Sequence, residues 1–276
     1  MSQKIPLAGV LGHPIGHSKS PRLHSHWLKT LGLPGHYIPM DVAPQDLPDA
    51  FSMLPKLGFR GVNVTVPHKE AALALAEVLT DRARAVGAVN TVTFSDQGVE
   101  GDNTDGIGFI ENLRQYNPNW TGASGPAAVL GAGGASRAVI VALLEAGAPE
   151  IRLANRTQAR ADALAELFGD RVIVVPWAEA PAMFADVSTA VNTTSLGMSG
   201  QPAFDIPLDD LPATALATDL VYTPLQTPFL IAARARGCET ADGLGMLLHQ
   251  GVPGFSRWFG QTPVVTDELR AAVLSP

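Results

Sequence analysis

Three short polar groupings interrupt apolar stretches in the first half of this 276-residue chain. The first runs Gly12-His13-Pro14-Ile15-Gly16-His17-Ser18-Lys19-Ser20-Pro21. The second is Asn63-Val64-Thr65-Val66-Pro67-His68-Lys69, and the third joins Asn90-Thr91 to Gly101-Asp102-Asn103-Thr104-Asp105-Gly106. Hydroxyls and amides of this kind, together with one lysine and one aspartate, suit a small polyhydroxylated ligand. A fourth grouping lies further on. Gly131-Ala132-Gly133-Gly134-Ala135-Ser136 follows the apolar run 127–130 and opens an apolar helical pattern. A strand, a glycine turn and a helix make up the context of a dinucleotide-binding fingerprint. Gly131 permits the tight turn, Gly133 lets backbone N–H groups approach a pyrophosphate, and the helix start offers unpaired donors and a positive dipole end. Ser136 stands at the third fingerprint glycine and is small enough for close packing.

The next strand discriminates between cofactors. An NAD site usually carries an acid about 20 residues on, to hold the ribose hydroxyls. Here the strand 151–154 ends in Asn155-Arg156-Thr157, with Arg160 one turn later and no acid at its end. Two guanidinium groups and a hydroxyl suit a ribose 2′-phosphate, because arginine offers bidentate donors to phosphate oxygens. NADP is therefore preferred over NAD.

The elements that must position these groups alternate along the chain. Strands are expected at 7–11, 37–42 and 61–66, with a hairpin formed by 89–94 and 99–102. Ser20 reads as a helix cap with Pro21 at the first helical position, helices follow at 47–54 and 67–79, and Thr104 or Asp105 begins another. Each polar grouping thus falls where a strand ends and a helix begins, which is where an open α/β sheet places its ligands. Residues 117–126 are polar and bounded by Pro and Gly, and read as the approach to a second domain. From 127 the alternation restarts, with strands at 127–130, 151–154, 172–175, 187–191 and 216–221 and helices at 135–146 and 157–168. That pattern implies a parallel sheet covered on both faces. The last helices, 244–259 and 266–274, fit either domain by pattern alone.

Composition narrows the class. The chain is 46% hydrophobic and 16% charged, with a net charge of −7, so it repels phosphate backbones and a nucleic-acid partner is not expected. Its 27 glycines and 22 prolines are scattered rather than periodic, which excludes collagen-like and low-complexity readings. Cys238 is the single cysteine, so no internal disulfide can form, as suits a reducing compartment. No secretory leader is read at the start, and no stretch is apolar enough to span a membrane. Five histidines crowd the first 36 residues, but His24 and His26 face different ways on a helix and no acid or cysteine cluster joins them, so no metal site is expected. Trp27, Trp120, Trp177 and Trp258 read as packing anchors.

Taken in order, the motifs resemble those of the shikimate dehydrogenase family. The matching stretches are HSKSP at 17–21, NVTVPHK at 63–69, AVNT at 88–91, DNTDG at 102–106, GAGGASRA at 131–138, NRT at 155–157, NTTSLGM at 192–198, DLVYTP at 219–224 and DGLGMLLHQ at 242–250. The resemblance covers essentially the whole chain. It implies NADPH-dependent reduction of 3-dehydroshikimate to shikimate in aromatic amino-acid biosynthesis, in the cytoplasm, by a monomer or homodimer. It also implies two α/β domains separated by a cleft: a discontinuous substrate domain at 1–110 and 244–276, and a Rossmann-like, doubly wound NADP-binding domain at 111–243. By position, it assigns catalysis to Lys69 and Asp105. The substrate carboxylate falls to Ser18 and Ser20 with Tyr222, and the ring hydroxyls to Thr65, Asn90 and Gln250. Gly131, Gly133, Gly134 and Ala135 line the pyrophosphate. Asn155, Arg156, Thr157 and Arg160 read the ribose phosphate, and Met198 and Gly243 lie near the nicotinamide. Rival readings are a quinate/shikimate dehydrogenase using NAD, a non-catalytic nucleotide-binding paralogue, and a reductase of a folate-like or amino-acid ligand.

Overall fold

The computed structural model of the protein describes residues 5–275. The chain start read for a leader, with Lys4, and the last residue of the expected substrate domain, Pro276, lie outside the described residues. The chain divides into two compact units, Met1–Thr104 with Leu247–Pro276, and Asp105–Met246. The breaks fall at residues 104/105 and 246/247, a few residues from the expected boundaries at 110/111 and 243/244.

The first unit opens with β1 (Leu7–Gly12), α1 (Ser20–Thr30), β2 (His36–Asp41), α2 (Leu47–Met53) and β3 (Phe59–Val64). It continues through α3 (Lys69–Leu75), β4 (Val78–Leu79), α4 (Asp81–Val86), β5 (Thr91–Ser95) and β6 (Gly98–Asp102). The strands form one sheet in the order β2-β1-β3-β5-β6-β4. β1, β2 and β3 are parallel, and the expected hairpin appears as the antiparallel pair β5–β6.

Alternation along β1 splits the core in two. Leu11 points to a cluster with Leu47, Phe51 and Val62, whereas Ala8 and Val10 pack with Tyr37 and Trp258 on the other face. Trp258 is fully buried and its Nε1 donates to the Val92 carbonyl at 3.1 Å. It lies so close to β3 that a Cβ at Gly61 would sit 2.0 Å from that nitrogen. Only glycine admits the tryptophan there.

Two local expectations are corrected. The helix expected over 67–79 is α3 alone, because Ala76 turns extended and Glu77 N–H donates to the Val99 carbonyl at 2.8 Å. Thr80 then caps a separate helix, accepting from Ala83 N–H at 3.2 Å. Ser20 is the first residue of α1 rather than its cap, and its N–H donates to Ser18 Oγ at 3.3 Å.

The second unit contains α5 (Asp105–Tyr116), β7 (Ala127–Leu130), α6 (Gly134–Glu145), β8 (Ile151–Ala154), α7 (Gln158–Phe168) and β9 (Val172–Val174). β10 (Thr189–Asn192), β11 (Leu216–Asp219), α8 (Pro228–Ala235) and β12 (Glu239–Ala241) complete it. Its sheet runs β12-β11-β10-β7-β8-β9, parallel throughout, which is the doubly wound order with its switch point between β7 and β10. Ala127 and Val129 of β7 face one apolar cluster and Ala128 and Leu130 face another, so both faces are covered. α9 (Leu244–Phe259) begins in this unit, and its later turns, with α10 (Asp267–Leu274), return to the first.

His24 of α1 stacks on Tyr37 with ring centroids 3.9 Å apart, and among the described residues neither of its ring nitrogens has a hydrogen-bond partner. Burial lowers its pKa to about 3, and the polar side chain of Asn63 only partly offsets this. The folded ring therefore refuses a proton that the unfolded chain accepts below about pH 6.5. Stability is lost as pH falls from there toward 3, at about 1.4 kcal/mol per pH unit. His24→Phe is expected to remove that component, so the gap in unfolding free energy between pH 7 and pH 4 should shrink by about 3 kcal/mol. Denaturant titrations at the two pH values measure it.

Candidate active site

In the first unit the backbone ends of three strands bring the polar groupings together. Thr65 N–H donates to the Leu11 carbonyl at 2.9 Å and His13 N–H to the Val66 carbonyl at 3.1 Å, so the segments after β1 and β3 lie side by side. His68, almost fully buried, bonds the Val42 carbonyl through Nε2 at 2.7 Å and so fixes the start of α3. Lys69 is the first residue of that helix, half-buried, and its carbonyl accepts from Val89 N–H at 2.9 Å. This places its backbone next to Asn90. Lys19, the other lysine among these groupings, is committed elsewhere: its Nζ donates to the Val273 carbonyl of α10 at 3.1 Å.

Asn90 is the hub of a buried network. Its Oδ1 accepts from Thr104 N–H at 2.8 Å and from Thr91 Oγ1 at 2.9 Å, and its Nδ2 lies 3.4 Å from Gln250 Oε1. Thr104 Oγ1 donates to the Gln250 carbonyl at 2.8 Å. Asn63 Nδ2 donates to the Asn90 carbonyl at 3.2 Å, and Asn63 Oδ1 accepts from Tyr37 OH at 2.7 Å. Asn63, Asn90, Thr91 and Thr104 are all buried, and a buried amide network satisfied in this way is stiff. Ser20 is buried as well and Ser18 half-buried. Ser18, Ser20, Thr65, Lys69, Asn90 and Gln250 thus belong to one unit, and Asp105 begins the other, joined by a peptide bond to Thr104.

The second unit carries the glycine turn at its switch point. Gly131 adopts φ +104°, and a Cβ there would lie 2.5 Å from Thr193 Oγ1, so the position demands glycine twice over. Gly133 and Gly134 have nothing within 4 Å of an added Cβ, leaving an open backbone cradle at the start of α6. Ser136 is buried, and its Oγ accepts from Gly133 N–H at 3.0 Å and pairs with Thr193 Oγ1 at 2.6 Å. Asn155 is a strut rather than a free ligand group: Oδ1 accepts from Ala132 N–H at 3.0 Å and Nδ2 donates to the Thr157 carbonyl at 2.8 Å.

Beside that strut lies a cavity of about 210 Å³ lined by Asn155, Arg156, Thr157, Arg160, Trp177, Thr194, Ser195 and Gln201, among others. Among the described residues neither Arg156 nor Arg160 is held in an ion pair. Both are exposed, so their charges are available to an anion. The cradle and this cavity fit the pyrophosphate and ribose phosphate of a dinucleotide. Trp177, read as a packing anchor, packs half-buried against the apolar cluster of this unit and also forms a wall of the cavity. Its place at the cavity was not read from the sequence, because the residues that line the cavity with it, such as Thr194 and Gln201, lie in other segments. Tyr222, Met198 and Gly243 all sit in this unit too. Burial raises the Tyr222 phenol, so it stays a neutral donor, and a Cβ on Gly243 would lie 2.5 Å from the Leu220 carbonyl. Cys238 is buried with Sγ 3.2 Å from the Pro212 carbonyl, and burial raises its thiol away from reactivity.

The chain is similar to known proteins over nearly its full length. Residues 10–92 match the family model of the shikimate dehydrogenase substrate binding domain, residues 120–199 that of shikimate / quinate 5-dehydrogenase, and residues 243–274 that of the shikimate 5′-dehydrogenase C-terminal domain. A shikimate dehydrogenase (NADP(+)) of Cereibacter sphaeroides is 59% identical over 273 residues, covering 99% of this chain and 98% of that protein. One from Paracoccus denitrificans is 56% identical, over 98% of this chain and 96% of its own length. Among solved structures, shikimate 5-dehydrogenase of Thermus thermophilus, in complex with NADP(H) and shikimate, aligns with a TM-score of 0.86 at 41% identity over 98% of both chains. Quinate dehydrogenase of Corynebacterium glutamicum, in complex with NAD, aligns with a TM-score of 0.90 at 32% identity over 99% of both chains. The backbone alone therefore does not separate the two substrates.

Proposed function

The chain belongs to the shikimate dehydrogenase family, and from that premise we propose which of its side chains carry the reaction. It is an NADP-dependent oxidoreductase that interconverts 3-dehydroshikimate and shikimate, a step of aromatic amino-acid biosynthesis. Ser18 and Ser20 hydrogen-bond the substrate carboxylate, and Tyr222 serves the same group. Thr65, Asn90 and Gln250 hold the ring hydroxyls. Gly131, Gly133, Gly134 and Ala135 receive the pyrophosphate, Arg156, Thr157 and Arg160 the 2′-phosphate, and Met198 and Gly243 the nicotinamide end.

Bound NADPH supplies the hydride, so no metal is needed. Negative charge gathers on the carbonyl oxygen as hydride arrives at carbon, and the Lys69 ammonium stabilises it and delivers the proton. Asp105 orients that ammonium and accepts a hydrogen bond from a substrate hydroxyl. One observation supports giving the chemistry to this pair. The Lys69 backbone is bonded beside Asn90, and Asn90 in turn receives the N–H of the residue that precedes Asp105. All these groups come from one chain, so a monomer or a homodimer can work. A lone buried cysteine suits a cytoplasmic setting, and among the described residues no helix is long and apolar enough to cross a membrane.

The test is an absorbance assay at the nicotinamide band with shikimate and quinate, each with NADP and NAD. The fastest turnover is expected for shikimate with NADP. Preference for quinate with NAD would displace the assignment toward the Corynebacterium relative, and no absorbance change with any pair would leave a nucleotide-binding protein without catalysis.

A further inference from the structure

Asp102, at the end of β6, has no exposed surface, yet it keeps a charge. Oδ1 accepts from Thr80 Oγ1 at 2.7 Å, Arg82 Nε at 3.0 Å and Asn103 N–H at 2.8 Å. Oδ2 accepts from Arg82 Nη2 at 2.8 Å and Arg257 Nη2 at 3.1 Å. Burial pushes this carboxyl up, but the bonds from Arg82 and Thr80 and the charges of Arg82 and Arg257 outweigh it, holding it below the usual carboxylate range. One buried carboxylate thus ties together β6, the start of α4 and the last turns of α9.

The same segment is stitched to the proposed substrate site. The Asp102 carbonyl accepts from Asn90 N–H at 3.0 Å, Asn103 Nδ2 donates to the Ala88 carbonyl at 3.0 Å, and Thr104 N–H donates to Asn90 Oδ1. Arg257 lies two turns along α9 from Gln250, so the two share one face of that helix. A buried ion pair gains little net stability over an apolar replacement, which makes fixed geometry the stronger account of this one.

We propose that Asp102, gripped by Arg82 and Arg257, is a positioning residue that sets Asn90 and Gln250 against the substrate ring. This rests on the assignment of Asn90 and Gln250 to the ring hydroxyls. Arg257 is one-third exposed, so replacing it leaves Asp102 paired with Arg82 and the fold intact. Arg257→Met is expected to raise KM for shikimate about tenfold, the loss of roughly one well-aimed hydrogen bond, with KM for NADP unchanged. Arg257→Lys should recover part of that loss. In a Gln250→Ala background the Arg257→Met effect should nearly vanish, because the two changes act through one contact. Steady-state kinetics well below the melting temperature, with melting curves alongside, read all of this. An Arg257→Met enzyme with wild-type KM and only a lower melting temperature would overturn the proposal, as would a full tenfold loss in the Gln250→Ala background. Gln250→Ala with unchanged KM for shikimate would instead overturn the ring-hydroxyl assignment, so the two failures are told apart.

Discussion

Lys69→Ala should lose between about 10²-fold and 10⁴-fold in kcat, the range that a positioned proton donor contributes, while KM for shikimate moves only a few-fold. The expected split follows from position. Lys69 sits at the first turn of α3, where its backbone is fixed by Val89 and by the bond of His68 to Val42. Removing the side chain beyond Cβ leaves those anchors in place, and the serines and amides proposed to hold the acid are contributed by other segments. The transition state then loses the cation that its oxygen requires, whereas the ground state loses little. Initial rates over a range of shikimate, with a melting curve to confirm the fold, measure it. Turnover within threefold of wild type would remove Lys69 from the chemistry.

The second large effect is on the cofactor. Each charge-assisted bond to phosphate contributes about 1.5 kcal/mol at an exposed site, the lower end of the usual range. Arg156→Ala combined with Arg160→Ala should therefore raise KM for NADP roughly hundredfold, since about 1.4 kcal/mol is tenfold. Rates with NAD should hardly change, because NAD has no 2′-phosphate for these groups to meet. The double variant would then discriminate poorly between the two dinucleotides. Equal losses with both cofactors would show that the arginines support the loop rather than read the phosphate.

The glycine turn and the Arg156–Arg160 cluster were legible in the sequence because their constraints are local. A residue at φ +104° between a strand and a helix has few solutions, and an arginine pair after the next strand is visible without any fold. Five of the six strands of the second unit were legible for the same reason, as short apolar runs bounded by turns. The region from 67 to 86 was not. Its Ala and Leu spacing continues as a helix past Leu75, and what stops it is a bond from Glu77 to Val99, a residue that only the hairpin brings near. Trp177 was legible as a packing residue but not as a cavity wall, because the residues that share the cavity with it come from other segments. The partners of Asp102 were invisible for a further reason. DNTDG announces the aspartate, but Arg257 stands 155 residues away. Nothing in the spacing pairs them.

Trp258 and the glycine that admits it determine when the first unit can finish folding. During synthesis the ribosome releases β1 to β6 first, yet the cluster of Ala8, Val10 and Tyr37, partly covered by α1, lacks Trp258 until the last thirty or so residues emerge. A nascent chain halted at residue 246 has a complete parallel sheet in its later half and, ahead of it, a sheet whose core still lacks Trp258, so the portion made first matures last.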